Sequence, residues 1–231
     1  MNYFVMRRVS DPDVIGFKNG VTQAEIDRSG FQDKDEYEKI TRLLGSEEFW
    51  SCRKQIPGME FDLQCVRLLP KAKLTDFLHF GPALMFCPFL VSERALEVLV
   101  KFVHYGVRLW PAQVIDRKSS YSYRLPFIES IPDEMIDFAK STFSLGGLIG
   151  PKTVYTFSDA EEKKQFVNSH RLLQYEEIYL NNSFPDIVDF FTLSNAAMIV
   201  SERLKLAIEK ANLTGVQFLA EEGPWVKVRL S

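Results

Sequence analysis

Two histidines and one aspartate could perform acid–base chemistry in this chain. Asp76 lies three residues before His79, and His170 follows a segment rich in Glu and Lys. A histidine near a carboxylate can act as a general base, but catalysis also needs a nucleophile and an orienting group. The sequence places neither of these beside the histidines, so structural roles are favoured. A small-molecule-handling enzyme that uses His79 and Asp76, or His170, is kept as the alternative.

The cysteines and a glycine-containing loop predict no cofactor or metal site. Cys52, Cys65 and Cys87 form no CxxC pair, and the three histidines lie far apart. A zinc module and a disulfide framework both need paired spacings, so neither is expected. The segment GGLIGPKT, residues 146–153, departs from the GxxxxGK[ST] phosphate loop, since Pro151 precedes Lys152 and the first glycine is misplaced. We expect reduced thiols and a plain loop.

Charge and hydropathy exclude several classes of partner. Of the 231 residues, 46% are hydrophobic and 26% are charged, which is enough to bury a sizeable core. The net charge of −3 gives no basic footprint for nucleic acid or an anionic membrane. The first apolar run, Tyr3 to Met6, is too short for a signal peptide or a membrane span. We expect a cytoplasmic protein without nucleic-acid or membrane partners, and its oligomeric state stays open.

Residues 11–48 form an acidic segment with ten acidic and five basic side chains. Apolar residues within it, from Tyr37 to Leu44, have the spacing of an amphipathic helix over residues 34–44, which Gly45 ends. The acidic face of such a helix is usually only solvated. An acidic face with aromatic side chains beside it can also bind a basic protein. The predicted partner-binding residues are Asp33, Asp35, Glu36, Tyr37, Glu38, Glu47, Glu48 and Trp50.

An internal repeat is the strongest pattern in the sequence. Residues 91–109, VSERALEVLVKFVHYGVRL, align without a gap on residues 200–218, VSERLKLAIEKANLTGVQF, and seven of 19 positions are identical. Serine is a good N-cap, glutamate suits the positive end of a helix dipole, and glycine can end a helix in the left-handed conformation. The structural residues of this motif are Ser92, Glu93, Gly106, Ser201, Glu202 and Gly215.

The repeat and its surroundings predict an α+β fold. We expect a mixed or mainly antiparallel sheet with helices packed on one side, built from two weakly related helix–strand halves, about 60–115 and 175–231. We expect these halves and the acidic N-terminal region to form a single compact domain. Apolar Leu96, Val100 and Val103 predict that the first repeat helix is the more buried one. Further helices are predicted after Pro132 and, from an S-x-x-E capping box, after Ser158.

The C-terminal copy resembles a family of bacterial proteins assigned as immunity proteins of polymorphic and contact-dependent toxin systems. The likeness is carried by about 35 residues, which include the VSER helix start at Val200 to Arg203, the segment Leu213 to Phe218, and the preceding Pro185-Asp186-Ile187. The first copy departs from this pattern at Tyr105, where the second has Thr214. The resemblance implies a protein that binds and neutralises a cognate toxin without catalysis, and it transfers no catalytic residues.

We therefore predict an immunity protein whose partner is a cognate toxin. The chemistry-bearing residues leave two other classes open. One is the enzyme that uses His79 and Asp76, or His170, and the other is a scaffold subunit with no toxin partner.

Overall fold

The computed structural model describes residues 2–16, 18, 22–117, 119–146, 151–170, 173–219 and 226–231. Parts of the predicted acidic segment (17, 19–21), of the glycine-containing loop (147–150) and of the second half (220–225) lie outside the described residues. The described residues contain six helices and fifteen strands, and the strands form mixed and antiparallel sheets. This architecture confirms the α+β fold. No helix in the described part of the chain is long and apolar enough to cross a membrane.

The helices are short, and three further segments form single 3-10 turns, at Arg28–Gly30, Ile56–Gly58 and Asp133–Met135. The helices are α1 (Pro12–Ile15), α2 (Lys34–Gly45), α3 (Phe49–Cys52), α4 (Glu93–Leu99), α5 (Ala160–Ser169) and α6 (Glu202–Lys210).

The strands form three sheets. The strands are β1 (Tyr3–Arg8), β2 (Ala24–Ile26), β3 (Leu63–Leu68), β4 (Phe77–Leu78), β5 (Phe80–Gly81), β6 (Leu90–Ser92), β7 (Val107–Asp116), β8 (Ser119–Ile128), β9 (Thr142–Leu145), β10 (Thr153–Tyr155), β11 (Gln174–Leu180), β12 (Phe190–Thr192), β13 (Met198–Ser201), β14 (Val216–Phe218) and β15 (Lys227–Leu230). The seven-stranded sheet has the order β4-β6-β8-β7-β3-β2-β5, and the four-stranded sheets have the orders β12-β13-β1-β14 and β10-β9-β11-β15.

Helix α2 forms where the sequence predicts it. The Asp33 carboxylate caps the helix by accepting hydrogen bonds from the backbone N–H groups of Asp35, at 2.9 Å, and Glu36, at 3.3 Å. The apolar side of the helix is buried in the same core as the seven-stranded sheet, through Ile40, Leu43 and Leu44. The polar side is left facing outward, as amphipathic spacing requires.

The two other predicted helix starts need correction. Helix α5 begins at Ala160, and its N-cap is Asp159, whose carboxylate accepts a hydrogen bond from the Glu162 N–H at 2.9 Å. Ser158 lies one residue too early to cap the helix, and its hydroxyl donates to the Glu162 carboxylate at 2.8 Å. After Pro132 the chain forms only a 3-10 turn, because the backbone becomes extended at Ile136, which bridges to Leu180.

The repeated VSER segments adopt the same local structure in both halves. The hydroxyls of Ser92 and Ser201 cap α4 and α6 by accepting hydrogen bonds from the N–H groups three residues later, at 3.1 and 3.2 Å. Each serine hydroxyl also donates to a carboxylate, Asp76 for Ser92 and Asp189 for Ser201. The predicted caps are confirmed, and each cap is held in turn by an aspartate from an earlier segment.

The same two aspartates tie each half to the other. Asp76 accepts a hydrogen bond from the Thr214 N–H, after α6, at 2.9 Å, and Asp189 accepts one from the Val103 N–H, after α4, at 3.0 Å. The arginines of the VSER segments, Arg94 and Arg203, pair with the Asp of their own half. The two halves therefore hold each other by reciprocal contacts of equivalent residues.

The two repeated glycines are left-handed, as predicted, but they do not end the helices. Gly106 and Gly215 have φ values of +58° and +100°, whereas α4 has already ended at Leu99 and α6 at Lys210. A Cβ at Gly215 would lie 2.1 Å from the Phe77 carbonyl oxygen. Gly215 therefore permits a close approach between the halves, whereas a Cβ at Gly106 would lie 2.7 Å from the Cβ of Glu129, outside both halves. The assignment of the two glycines as helix ends is wrong.

The three residues from which we predicted a more deeply buried first repeat helix are not buried, and each repeat helix has two buried side chains. Val100 is 63% exposed and Val103 is 39% exposed, and Leu96 is only partly buried. The reason is that α4 ends at Leu99, so both valines lie in the outward-facing turn that follows the helix. Three aromatic side chains, those of Phe77, Phe89 and Phe190, are buried in the core cluster that also contains residues of α4 and α6.

Candidate partner-binding surface

The predicted partner-binding residues lie on α2, on α3 and on the short connection between them, which we call the α2–α3 surface. Buried Leu44 and Phe49 belong to one core cluster and anchor the two helices. The turn between the helices is closed by the Ser46 hydroxyl, which donates to the Arg42 carbonyl at 2.6 Å. The Arg42 guanidinium also pairs with Glu48 across this turn at 2.6 Å. These contacts fix the position of the second helix relative to the first.

Several of the acidic side chains on this surface already have internal partners. Asp33 caps α2, and Glu36 pairs with Lys39 at 3.0 Å. Glu36 also accepts a hydrogen bond from the Asp62 N–H at 2.9 Å. Glu38 pairs with Arg28 at 2.9 Å. These side chains shape the surface, but their charge is largely compensated within the chain.

Two carboxylates are different. Asp35, in the first turn of α2, and Glu47, just before α3, are both exposed. Within the described part of the chain, neither carboxylate has a hydrogen-bond or ion-pair partner. Their charge is therefore directed to solvent or to another molecule.

Two aromatic side chains complete the surface. Trp50 is 55% exposed, yet its ring packs edge-on against Phe49 and Phe86, with centroids 5.2 and 6.2 Å apart. Tyr37 is partly buried and packs edge-on against Phe31, with centroids 5.3 Å apart. Trp50 thus combines exposure with a fixed orientation.

Arg53 belongs to this surface but was not predicted. Its guanidinium lies over the rings of Phe86, 4.6 Å from the centroid, and of Trp50, 5.8 Å from the centroid. It also donates a hydrogen bond to the Ser130 hydroxyl at 2.6 Å. The only signal in the sequence is its position three residues after Trp50, which places both on one side of a helical turn.

The structure does not join His79 and Asp76 into an acid–base pair. Nε2 of the buried His79 ring lies 3.2 Å from the Gly215 carbonyl oxygen, and the Asp76 carboxylate is engaged by Ser92, Arg94 and Thr214. Burial lowers the pKa of His79 to about 4, although the carbonyls that face its ring favour the protonated form. Both residues join the two halves of the repeat.

His170 is also without acid–base partners in the described residues. It lies exposed at the end of α5, and its ring stacks on Phe166 with centroids 4.2 Å apart. Its Nδ1 lies 3.2 Å from the carbonyl oxygen of the same residue. This geometry extends the C-terminus of the helix and brings no nucleophile to the ring.

The three cysteines are free. Cys65 and Cys87 are buried, Cys52 is half-buried, and burial raises the pKa of the Cys87 thiol. Among the described residues, no group of three or more His, Cys, Asp or Glu side chains is arranged to hold a metal ion. Residues 147–150 of the glycine-containing loop lie outside the described chain.

Compared with known proteins, the chain matches no protein-family model and no curated sequence. The resemblance to immunity proteins therefore stays a prediction from the C-terminal motif. A functional proposal rests on that motif and on the geometry of the α2–α3 surface.

Proposed function

We propose that this protein binds a cognate toxin through the α2–α3 surface and neutralises it by occupying it, without catalysis. The proposal rests on the resemblance of the C-terminal repeat to immunity proteins. It also rests on a surface whose residues have the properties of a protein interface.

The single observation that carries the proposal is Trp50. Tryptophan, tyrosine and arginine are enriched among the residues whose truncation most weakens protein complexes. A tryptophan buries a large area and has only two side-chain torsions to fix. Trp50 is 55% exposed, but Phe49, Phe86 and Arg53 already fix its orientation. A partner that covers this ring gains apolar burial at a small cost in side-chain entropy.

The charge on the same surface supports a basic partner. Asp35 and Glu47 have no partner in the described chain, and exposed like charges of this kind accelerate association with an oppositely charged surface. The partner surface should therefore present lysines or arginines around an apolar pocket that accepts the Trp50 ring.

Co-expression with the candidate toxin, taken as the product of the reading frame upstream of its gene, tests the proposal. We expect the wild-type chain to copurify with this toxin. Trp50→Ala should weaken the complex by about 30-fold, which corresponds to about 2 kcal/mol at a central interface tryptophan. The matched control is Leu206→Ala on α6, where the truncated side chain is similarly exposed, at 54%. This control should bind as the wild type does.

Charge reversal tests the role of the Asp35 and Glu47 carboxylates separately from that of Trp50. The double variant Asp35→Lys with Glu47→Lys should lower the association rate and its dependence on salt, whereas Glu97→Lys on the exposed side of α4 should change neither. If the wild-type chain does not copurify with the toxin, the proposed function fails. If it copurifies but Trp50→Ala binds normally, the toxin uses a different surface.

A further inference from the structure

A cleft of about 470 Å³ opens beside β1. One wall consists of the end of β1, from Val5 to Arg8, and of the residues that lead into β13, from Ala196 to Met198. The other wall is built from residues between His79 and Pro88, and Leu219 completes the described lining. The volume is in the range of small-molecule sites, which run from about 300 to 1,000 Å³.

The cleft forms where β1 extends beyond its neighbour. Strand β13 begins at Met198, which pairs with Met6. On this side of β1, Arg7 and Arg8 therefore continue past the start of β13, and the space beside them is not filled by a strand.

Most of the lining is apolar, and it comes from three core clusters of the protein. Met6 and Met198 belong to one cluster, Phe80, Leu84 and Cys87 belong to the second, and Val5 and Ala197 pack against the third. An apolar group in the cleft is thus covered by apolar side chains from several sides. Its transfer from water into this space is favourable in proportion to the area buried.

The charge in the cleft is positive. Arg7 and Arg8 both line it, and none of the described lining residues is acidic. Arg8 is exposed, and its guanidinium has no hydrogen-bond or ion-pair partner within the part of the chain that the structure describes. Burial, and to a smaller extent the charge of Arg8, lower the pKa of the His79 ring. The Arg8 charge therefore acts on the cleft wall and favours an anionic group there.

His79 contributes a wall and not a second cation. Its Nε2 lies 3.2 Å from the Gly215 carbonyl oxygen, and the Pro88 carbonyl also faces the ring. Because burial keeps the imidazole neutral, it has one N–H, which these carbonyls engage. Arg8 is the cation that is left to bind an anion.

We propose that this cleft binds carboxylates that carry an unbranched apolar tail, with the carboxylate on the Arg8 guanidinium and the tail between β1 and residues 79–88. A guanidinium offers two parallel N–H donors that match the two oxygens of a carboxylate. The apolar lining accepts the tail, and each further buried CH2 should tighten binding by about 4-fold until the cleft is filled.

This site is distinct from the α2–α3 surface, although the two are neighbours. None of the described lining residues belongs to that surface, but Leu84 and Cys87 lie in the same turn as Phe86, which packs against Trp50. Carboxylate binding is measured on the protein alone and needs no toxin. Its failure would therefore leave the proposed toxin binding unaffected.

Methionine methyl resonances locate the ligand. Of the six methionines in the chain, Met6 and Met198 line the cleft, whereas Met59 and Met135 do not. We expect octanoate, added below its critical micelle concentration to protein labelled with [methyl-13C]methionine, to shift the Met6 and Met198 resonances in a saturable manner. The Met59 and Met135 resonances should stay in place.

Calorimetry with matched ligands separates the roles of charge and tail. Octanol has the same tail without the carboxylate and should bind about 10-fold more weakly than octanoate, because the charge-assisted hydrogen bonds are lost. Hexanoate keeps the carboxylate but has two fewer CH2 groups, and it should bind about 15-fold more weakly than octanoate.

Arg8→Gln tests the assigned cation. This variant should weaken octanoate binding by about 10-fold and leave octanol binding unchanged, while circular dichroism confirms that it is folded. The matched control is Arg108→Gln, because Arg108 is also an exposed arginine on a strand but does not line the cleft. It should bind both ligands as the wild type does.

Three results would overturn the proposal. The first is the absence of a saturable shift at Met6 and Met198, and the second is an equal shift at Met59 and Met135. The third is an affinity for octanoate that equals the affinity for octanol or that Arg8→Gln leaves unchanged.

Discussion

Replacing Asp189 with asparagine tests the contacts that join the two halves. The side chain is fully buried and accepts hydrogen bonds from the Ser201 hydroxyl, from Arg203 and, at 3.0 Å, from the Val103 N–H. Asparagine has the same shape, but its NH2 group replaces one acceptor oxygen. At least one of these donors then faces another donor, and such a mismatch costs about 1–3 kcal/mol. The weakened ion pair with Arg203 should add little to this loss of stability, because the Arg203 side chain is half exposed.

Urea unfolding measures this loss of stability directly. Asp189→Asn should lower the unfolding midpoint without changing the slope of the transition, because the surface exposed on unfolding stays the same. The matched control is Asp186→Asn, the same chemical change at an exposed position of the same segment. It should change the free energy of unfolding by less than about 0.5 kcal/mol. Equal effects of the two substitutions would refute the assignment of Asp189 as a link between the halves.

The remaining predictions concern acid stability, the core and the glycines. Burial raises the pKa of Asp189, but hydrogen bonds from Arg203, Ser201 and Val103 outweigh it and leave the pKa below its usual value. The stabilisation that the ionised Asp189 contributes is therefore present above about pH 4 and is lost as the pH falls through the folded-state pKa. Between pH 6 and pH 3, the urea unfolding midpoint of Asp189→Asn should fall less than that of the wild type. Leu99→Ala, at a buried position of α4, should lower the free energy of unfolding in chemical denaturation by about 2–5 kcal/mol. The control Val100→Ala, at an exposed position, should lower it by less than about 0.5 kcal/mol. Similar losses in the two variants would show that Leu99 is not in the core. Gly215→Ala should lower the free energy of unfolding by more than about 1 kcal/mol, because φ at this residue is +100° and the added Cβ would collide with backbone atoms. The control Gly58→Ala should be tolerated, since open space surrounds that position. Equal melting temperatures of the two variants would contradict the close approach at Gly215.

The local elements of the fold could be predicted from the sequence. The amphipathic spacing of residues 37–44 identified α2, and the VSER segments identified the caps of α4 and α6, because capping and periodicity depend on neighbours a few residues away. The helix starting after Ser158 was misplaced by one residue, since Asp159 competes for the same role. The end of α4 was missed, because apolar residues continue past Leu99 without any signal that the backbone turns.

The long-range contacts could not be predicted. Asp76 and Asp189 hold serines 16 and 12 residues away, and each also bonds backbone in the other half of the molecule. From the sequence, Asp76 was a candidate for acid–base chemistry. Its hydrogen-bond partners in the second half are known only from the folded structure, in which the two halves are in contact. The burial of Lys163 was equally hidden, since a lysine in a charged helix normally faces solvent.

The α2–α3 surface was predicted in composition but not in detail. The acidic residues and Trp50 were named from the sequence, whereas the pairing of Glu38 with Arg28 and of Glu48 with Arg42 depends on bases brought near by folding. The pair of Glu36 with Lys39 joins neighbours on one helix, so its spacing could be recognised in the sequence. Only Asp35 and Glu47 keep uncompensated charge among the described contacts of this group.

Growth of cells that express the candidate toxin, taken as the product of the reading frame upstream of this gene, tests the central proposal most directly. We predict that co-expression of the wild-type chain restores growth, that Leu206→Ala restores it equally, and that Trp50→Ala restores it only at a higher expression level. Failure of the wild-type chain to protect cells, while it accumulates as folded protein, would contradict the proposed neutralisation.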